Sequence, residues 1–429
     1  MHPLHVTAWS VLPFVVLLLA IALLPIFAEH WWHSNRHKAL VSLGLAVPVV
    51  LYLGWLEWGE QQSGLAQLGH SLHEYVDFIV LLGALYVIAG GIAVQGQYRP
   101  TPIVNVSILA FGAVLANFIG TTGASMLLIQ PLLRINLIRQ HRNHLPIFFI
   151  ILVSNLGGLL TPLGDPPLFL GFLSGVEFFW TLSLWREWLF VNGLVLGIAL
   201  VWDSICYRIE PARDQFPPRH GSFVLAGSIN LVFLVGVIAA VLARSEALLG
   251  EHRLDAVGST LILIVMGILS LLCTSRSVRE HNHFSWAPMI EVAVLFAGIF
   301  VTMVPALALL TERRNQLGLT HPWQYFWLTG LLSAFLDNAP TYMTFAVVAA
   351  GGQDLGQLSQ QQPQILQAIS AGAVFMGALT YIGNGPNFMV KSIAERMGYP
   401  MPAFFGYLLK SSAILLPVLA LATWLFFVP

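Results

Sequence analysis

Charge is the scarcest commodity in this chain: Asp, Glu, Lys and Arg together make up 9% of 429 residues, against about 25% in a soluble domain. A cytosolic or secreted globule is thereby excluded. Cysteine is sparse as well, with two residues. Cys206 and Cys273 lie in or at the ends of apolar segments without metal-ligand spacing, which speaks against a disulfide framework or a zinc site. There is no basic run, and 19 basic residues against 20 acidic ones leave a net charge of −1, so nucleic acid is not an expected partner. No Walker loop, HExxH, nucleophile elbow or dinucleotide fingerprint is present, so the reading is of a non-enzyme with no resident cofactor. The first ten residues carry no Lys or Arg and no small-residue cleavage site follows, so the first apolar run is expected to be retained rather than cleaved as a signal peptide.

What is abundant is apolar surface: 57% hydrophobic residues and a mean hydropathy of +0.77, arranged in runs such as Val11 to Ala28 that match the roughly 20 residues needed to cross a bilayer. The expectation is an all-α polytopic membrane protein whose main partner is the lipid bilayer. Ten crossings are expected near Ala8–Ala28, Ala39–Trp58, Ser71–Val94, Leu145–Gly175, Trp188–Tyr207, Ser222–Ala243, Ala256–Thr274, Ala287–Leu310, Ile365–Ala394 and Ala403–Val428. Two further stretches, 101–139 and 321–350, are interrupted at Asn117-Phe-Ile-Gly-Thr-Thr122 and Asp337-Asn-Ala-Pro-Thr341 and are read as re-entrant hairpins. With both re-entering, thirteen Lys and Arg fall on one side of the membrane. Only Arg186, Arg244, Arg253, Arg313 and Arg314 fall on the other, with Lys410 left inside the last span. Cytoplasmic loops collect positive charge, which places both termini on the outer (periplasmic) face and the linker 208–221 in the cytoplasm.

The two halves resemble each other. Gly158-Leu-Leu-Thr-Pro-Leu-Gly-Asp-Pro-Pro-Leu-Phe169 aligns with Gly377-Ala-Leu-Thr-Tyr-Ile-Gly-Asn-Gly-Pro-Asn-Phe388 at an offset of 219, with six of twelve positions identical, and the same offset brings Thr122 onto Thr341. Each repeat, 1–207 and 222–429, holds five crossings and a hairpin. Five is odd, so the second copy runs through the bilayer inverted. Within each repeat one crossing, 145–175 or 365–394, is broken in mid-span by Thr161-Pro-Leu-Gly-Asp-Pro-Pro167 or Thr380-Tyr-Ile-Gly-Asn-Gly-Pro386. Gly and Pro interrupt the backbone ladder there, and Asp165 or Asn384 sits where it can cap the following half-helix.

Helices broken at membrane depth are tolerated only where they are packed in protein or line a cavity, so the two tips and two breaks are expected to converge on one polar site. Asp165 and Asp337 are its intramembrane carboxylates and the expected ligands of Na⁺, each able to hold either a cation or a proton. Asn117, Thr121, Thr122, Asn338, Thr341, Asn384 and Asn387 would supply neutral oxygens, a set suited to a monovalent cation. Lesser candidates are the interfacial His30, His33 and His37, the group His70, His73, Glu74 and Asp77, then Glu291 as a proton relay, and Lys391 as a snorkelling anchor.

The Gly157-Gly-Leu-Leu-Thr-Pro-Leu-Gly-Asp165 break, the Leu336-Asp-Asn-Ala-Pro340 tip and Leu295-Phe-Ala-Gly-Ile-Phe-Val301 make the chain resemble the ion transporter superfamily, and within it the citrate carrier and D-type sodium/proton antiporter branch. That resemblance covers nearly the whole chain. It implies a scaffold domain that can form a homodimer, and a transport domain carrying hairpins and broken helices that moves in an elevator-like step. It implies a secondary transporter of a bacterial inner membrane. Two cargoes follow from it: Na⁺ exchanged for H⁺, or citrate or a dicarboxylate carried with a cation. The tip at Asn117 lacks the Asp-Asn pair typical of the antiporters, and the Gly-Asn-Gly-Pro-Asn387 break is similar to those of anion carriers. Against that, no Lys or Arg falls at mid-depth to receive an anion, and the reading accordingly leans to cation exchange.

Overall fold

The computed structural model describes residues 4–32, 34–59, 62–96, 99–211, 224–282, 284–316 and 318–428. Most of the linker 208–221, the first residues of the expected span Ser222–Ala243, and His33 lie outside them.

Among the described residues, eight helices are long and apolar enough to cross a membrane, and the chain is a multi-pass membrane protein. Seven of them, Ala8–Phe27, Asn35–Gly59, Gly64–Gly90, Phe178–Arg208, Ala256–Cys273, Ala287–Arg313 and Phe404–Phe426, coincide with expected crossings. They leave large apolar side chains such as Leu40, Leu51, Val201, Leu261 and Leu409 exposed, as helices bathed in lipid do.

The eighth, Pro102–Ile135, is long enough but not straight. Gly120 sits at φ 76°, ψ 155°, a backbone region essentially reserved for glycine. Asn105 and Asn136 exchange side-chain hydrogen bonds of 3.1 and 2.7 Å, although a straight helix would hold residues 31 apart at about 46 Å. The chain therefore doubles back at Gly120. Helices Pro322–Phe335 and Asn338–Ala350 likewise pack against each other across the extended Leu336 and Asp337.

Leu145–Leu173 and Pro363–Arg396 follow one local plan. A helix ends in a short 3₁₀ turn, Leu156–Leu160 or Gly377–Leu379, then comes an extended threonine, Thr161 or Thr380. A second helix starts after an extended Asp165 or Asn384. These segments form the buried centre: all eight residues of Leu145–Leu152 are buried, as is every residue from Ala368 to Leu379. The first break also needs glycine for proximity, since a Cβ on Gly164 would lie 2.2 Å from the Gly158 carbonyl oxygen.

Two expectations need correction. The chain is not purely helical: Ala93–Gln95 and Val224–Ala226 form an antiparallel two-stranded sheet with Ala93 opposite Ala226. Consequently, among the described residues, the spans expected to reach Val94 and to begin at Ser222 are helical over Gly64–Gly90 and Asn230–Leu242. Gly227, at φ 76°, turns the chain between strand and helix, and strand pairing satisfies backbone groups that a helix end would leave open.

Candidate functional site

Asp165 is the hub. Its Oδ1 accepts from Thr121 Oγ1 at 2.9 Å and from Asn384 Nδ2 at 2.9 Å, and its Oδ2 accepts from Asn338 Nδ2 at 2.5 Å. All four residues are buried. Thr121 belongs to the first tip, Asn338 to the second, and Asp165 and Asn384 to the two breaks, so one carboxylate draws all four elements together. Asp165 and Asn384 are also the two positions that the repeat alignment superposes.

The expectation that Asp165 and Asn384 cap their half-helices is wrong. Both occupy the N-cap position, yet neither side chain bonds its helix. In the first case Pro166 and Pro167 have no N–H to offer and the Leu168 N–H is taken by the Asp165 carbonyl at 3.1 Å, leaving the carboxylate to turn into the cluster.

Beside the hub, Asn387 Oδ1 accepts from Asn155 Nδ2 at 2.7 Å, while its own amide donates to the Gly377 and Thr380 carbonyls at 2.9 Å each. Asn384 also donates to the Ser154 carbonyl at 3.0 Å, and the Ser154 hydroxyl meets that of Ser125 at 2.7 Å. Two acceptor oxygens here, Asn155 Oδ1 and Asn338 Oδ1, are buried with no partner. Desolvating such an oxygen costs about 1–3 kcal/mol, and both belong to residues bonded within this network, Asn338 to Asp165 and Asn155 to Asn387.

The other expected residues do different work. Asp337 is half-buried and its carboxylate accepts from the Ala339 N–H at 3.1 Å, capping its own helix. Because the next residue, Asn338, reaches Asp165, Asp337 stands at the edge of the cluster. Asn117 donates to the Ala113 and Val114 carbonyls at 3.1 and 3.3 Å and accepts from the Leu160 N–H at 2.8 Å. It fastens the first tip to the first break. The hydroxyls of Thr161 and Thr380 donate to the carbonyls of Asn117 and Ala334, one such tether in each half. Thr341 donates to the Asp337 carbonyl at 2.9 Å. Thr122 is half-buried and is not brought onto Asp165. Further orphan carbonyls of the first break are satisfied by Trp188, which donates to Gly157 at 2.9 Å, and by Asn192, which donates to Leu156 at 3.3 Å.

Asn155, Ser154 and Ser125 were not anticipated. The available signal was the Ser154-Asn155 pair following the unbroken apolar run Ile147 to Val153, a polar step just where the helix must open. Of the lesser candidates, Glu291, Asp77, His70, Glu74 and Lys391 lie in ion pairs that do not include Asp165. Glu291 holds the buried Lys38 at 2.7 Å, Asp77 holds Arg244 at 2.9 Å and Thr260 at 2.6 Å, and His70 pairs with Glu74 at 3.5 Å. Lys391 pairs with Glu395 at 3.2 Å over the rings of Tyr381 and Phe388. Among the described residues, no Lys, Arg or His forms an ion pair with Asp165 or Asp337.

A family described as "Putative citrate transport" matches residues 3–427. The chain belongs to this family of membrane transporters. It is 26% identical over 380 residues to an uncharacterized transporter of Mycobacterium tuberculosis, covering 81% of this chain and 84% of that one. It is also 26% identical to a 46 kDa membrane protein of Mycobacterium leprae over 74% of each chain. An uncharacterized transporter of Synechocystis is 24% identical over 66% of this chain and 68% of its own.

Proposed function

We propose that the protein is a secondary active transporter of a bacterial inner membrane that exchanges Na⁺ for H⁺ at a site centred on Asp165, with Asp337 as a second carboxylate. One observation carries this reading: a buried carboxylate bonded to three neutral donors, with no basic side chain paired to it among the described residues, and with the unpartnered amide oxygen of Asn338 on one of those donors. Such a site has negative charge and oxygen ligands to offer, which a small hard cation or a proton can neutralise. Because one carboxylate holds one positive charge at a time, H⁺ and Na⁺ compete for it. Na⁺ and H⁺ are cargo here, and the mechanism calls for no resident cofactor.

The same reading treats the doubled-back segments as re-entrant hairpins and the halves as inverted repeats. The hydrogen bond between Asp165 and Asn384, 219 residues apart, supports it, since residues near a pseudo-twofold axis meet their own equivalents. The hairpins and broken helices would move together as the transport domain in an elevator step. The remaining spans form the scaffold, through which a homodimer could assemble, and both termini face outward.

A second reading, cation-coupled uptake of citrate or a dicarboxylate, is favoured by the description of the family. Asn and Thr side chains at the tips would then meet carboxylate groups beside a bound cation. Reconstitution in liposomes separates the two. Addition of Na⁺ or Li⁺ should move internal pH with no organic anion present. Accumulation of labelled citrate driven by a Na⁺ gradient, with no alkali-driven pH change in its absence, would replace the first reading with the second.

A further inference from the structure

Lys410, a basic residue inside the last of the expected spans, borders a cavity of about 480 Å³. The cavity lies between helices Leu145–Leu152, Trp185–Arg208 and Phe404–Phe426, away from the Asp165 cluster. Its rim carries Arg142, His144 and Lys410, and its wall is apolar, with Phe148, Trp202 and Ile414. Lys410 is exposed and stands six residues into its helix, about 9 Å along the axis from its start. Trp202, which lines the same cavity, stands six residues from the C-terminal end of Trp185–Arg208 and is of the residue type that marks a membrane interface.

The charges explain what this cavity would take. Arg142 donates to the carbonyls of Asn136, Leu137 and Gly398 and lies 4.4 Å over the Tyr399 ring. Those carbonyls fix the guanidinium without neutralising it. The nearby acids are already engaged. Asp203 is held by Arg139 at 2.5 Å and His144 at 3.0 Å, and Glu210 accepts from the N–H groups of Gln140 and His141. Among the described residues neither Arg142 nor Lys410 forms an ion pair with a carboxylate. Two uncompensated cations above an apolar wall, near helix ends and beside Trp202, match an anionic headgroup with its acyl chains attached.

We propose that this cavity seats the phosphate headgroup of an anionic phospholipid, bound between Arg142 and Lys410 with an acyl chain against Phe148, Trp202 and Ile414. The test is native mass spectrometry of the full-length protein in detergent, titrated with phosphatidylglycerol and with phosphatidylcholine of matched chains. The parent protein should retain phosphatidylglycerol preferentially. Lys410→Gln should weaken that retention by about fivefold, the effect of one basic side chain near an anionic lipid, Lys410→Arg should restore it, and Arg186→Gln, at the other end of the same helix as Trp202, should leave it unchanged. Equal retention of the two lipids, or a Lys410→Gln protein indistinguishable from the parent, would overturn the proposal. So would displacement of phosphatidylglycerol by millimolar inorganic phosphate, which would assign the cavity to a soluble anion instead.

Discussion

Replacing Asp165 by Asn removes one charge from the centre of the protein while leaving its hydrogen bonds almost intact. The new amide oxygen can stand where Oδ1 stands and accept from Thr121 and Asn384 as before. The new amide nitrogen then faces Asn338, whose own oxygen has no partner. A half-turn of the Asn338 amide converts a donor–donor clash into a hydrogen bond. Asp165→Asn should therefore fold, with stability changed by no more than about 1 kcal/mol, the net worth of one hydrogen bond. Its effect on a cation is far larger: a unit charge about 4 Å away contributes about 4 kcal/mol at an effective dielectric constant near 20, or about a thousandfold in affinity. In liposomes carrying a pH-sensitive dye, the variant should need about a thousandfold more Na⁺ than the parent, which is in practice no response, while its melting temperature without Na⁺ stays within a few degrees. A variant with a normal melting temperature and a Na⁺ dependence within threefold of the parent would refute the assignment of Asp165 as the cation ligand.

Competition between the two cargoes gives a pH signature: on the acid side of the profile the apparent KM for Na⁺ should rise about tenfold for each unit by which pH falls, the limit for one proton displacing one cation, with maximal rate unchanged. A KM flat across pH would mean that the two ions do not share a site. Gly164→Ala would place a methyl 2.2 Å from the Gly158 oxygen, and it is expected to cost about 1–3 kcal/mol, read as a lower melting temperature together with lost transport. Asp203→Asn would leave the fully buried Arg139 without its 2.5 Å partner, an expected loss of about 3–5 kcal/mol, visible as poor recovery of folded protein in detergent.

The spans, the breaks and the tips were legible because each has a local signature: long apolar runs, and Gly, Pro and polar residues interrupting them. Asp165 and Asn384 stood out for the same reason. What side chains do once they arrive depends on partners distant in the chain, and there the reading was less sharp. Asn117 and Asn338 look alike as tip asparagines, yet the first spends its amide on local carbonyls and the second reaches across 173 residues to Asp165. Capping by Asp165 was a sound local inference, overturned by a tertiary one: three donors converging on the carboxylate outcompete a helix end whose first two residues are proline. The strand pair Ala93–Gln95 and Val224–Ala226 was invisible because three-residue strands in apolar sequence carry no period of their own.

The departure of the second break from the first, Asn384 where the other has Asp165, follows from their contact. Two side chains 2.9 Å apart cannot both be carboxylates without cost: at an effective dielectric constant of 20 the repulsion would be about 6 kcal/mol, enough to force one of them to stay protonated whatever the cargo. Asparagine keeps the shape and supplies a donor, so the pair becomes a hydrogen bond and a single charge remains between the two halves. Where equivalent positions touch each other, symmetry of sequence and usable charge conflict, and the chain resolves the conflict at this one residue while retaining the Thr, Gly and Pro of the surrounding motif in both copies.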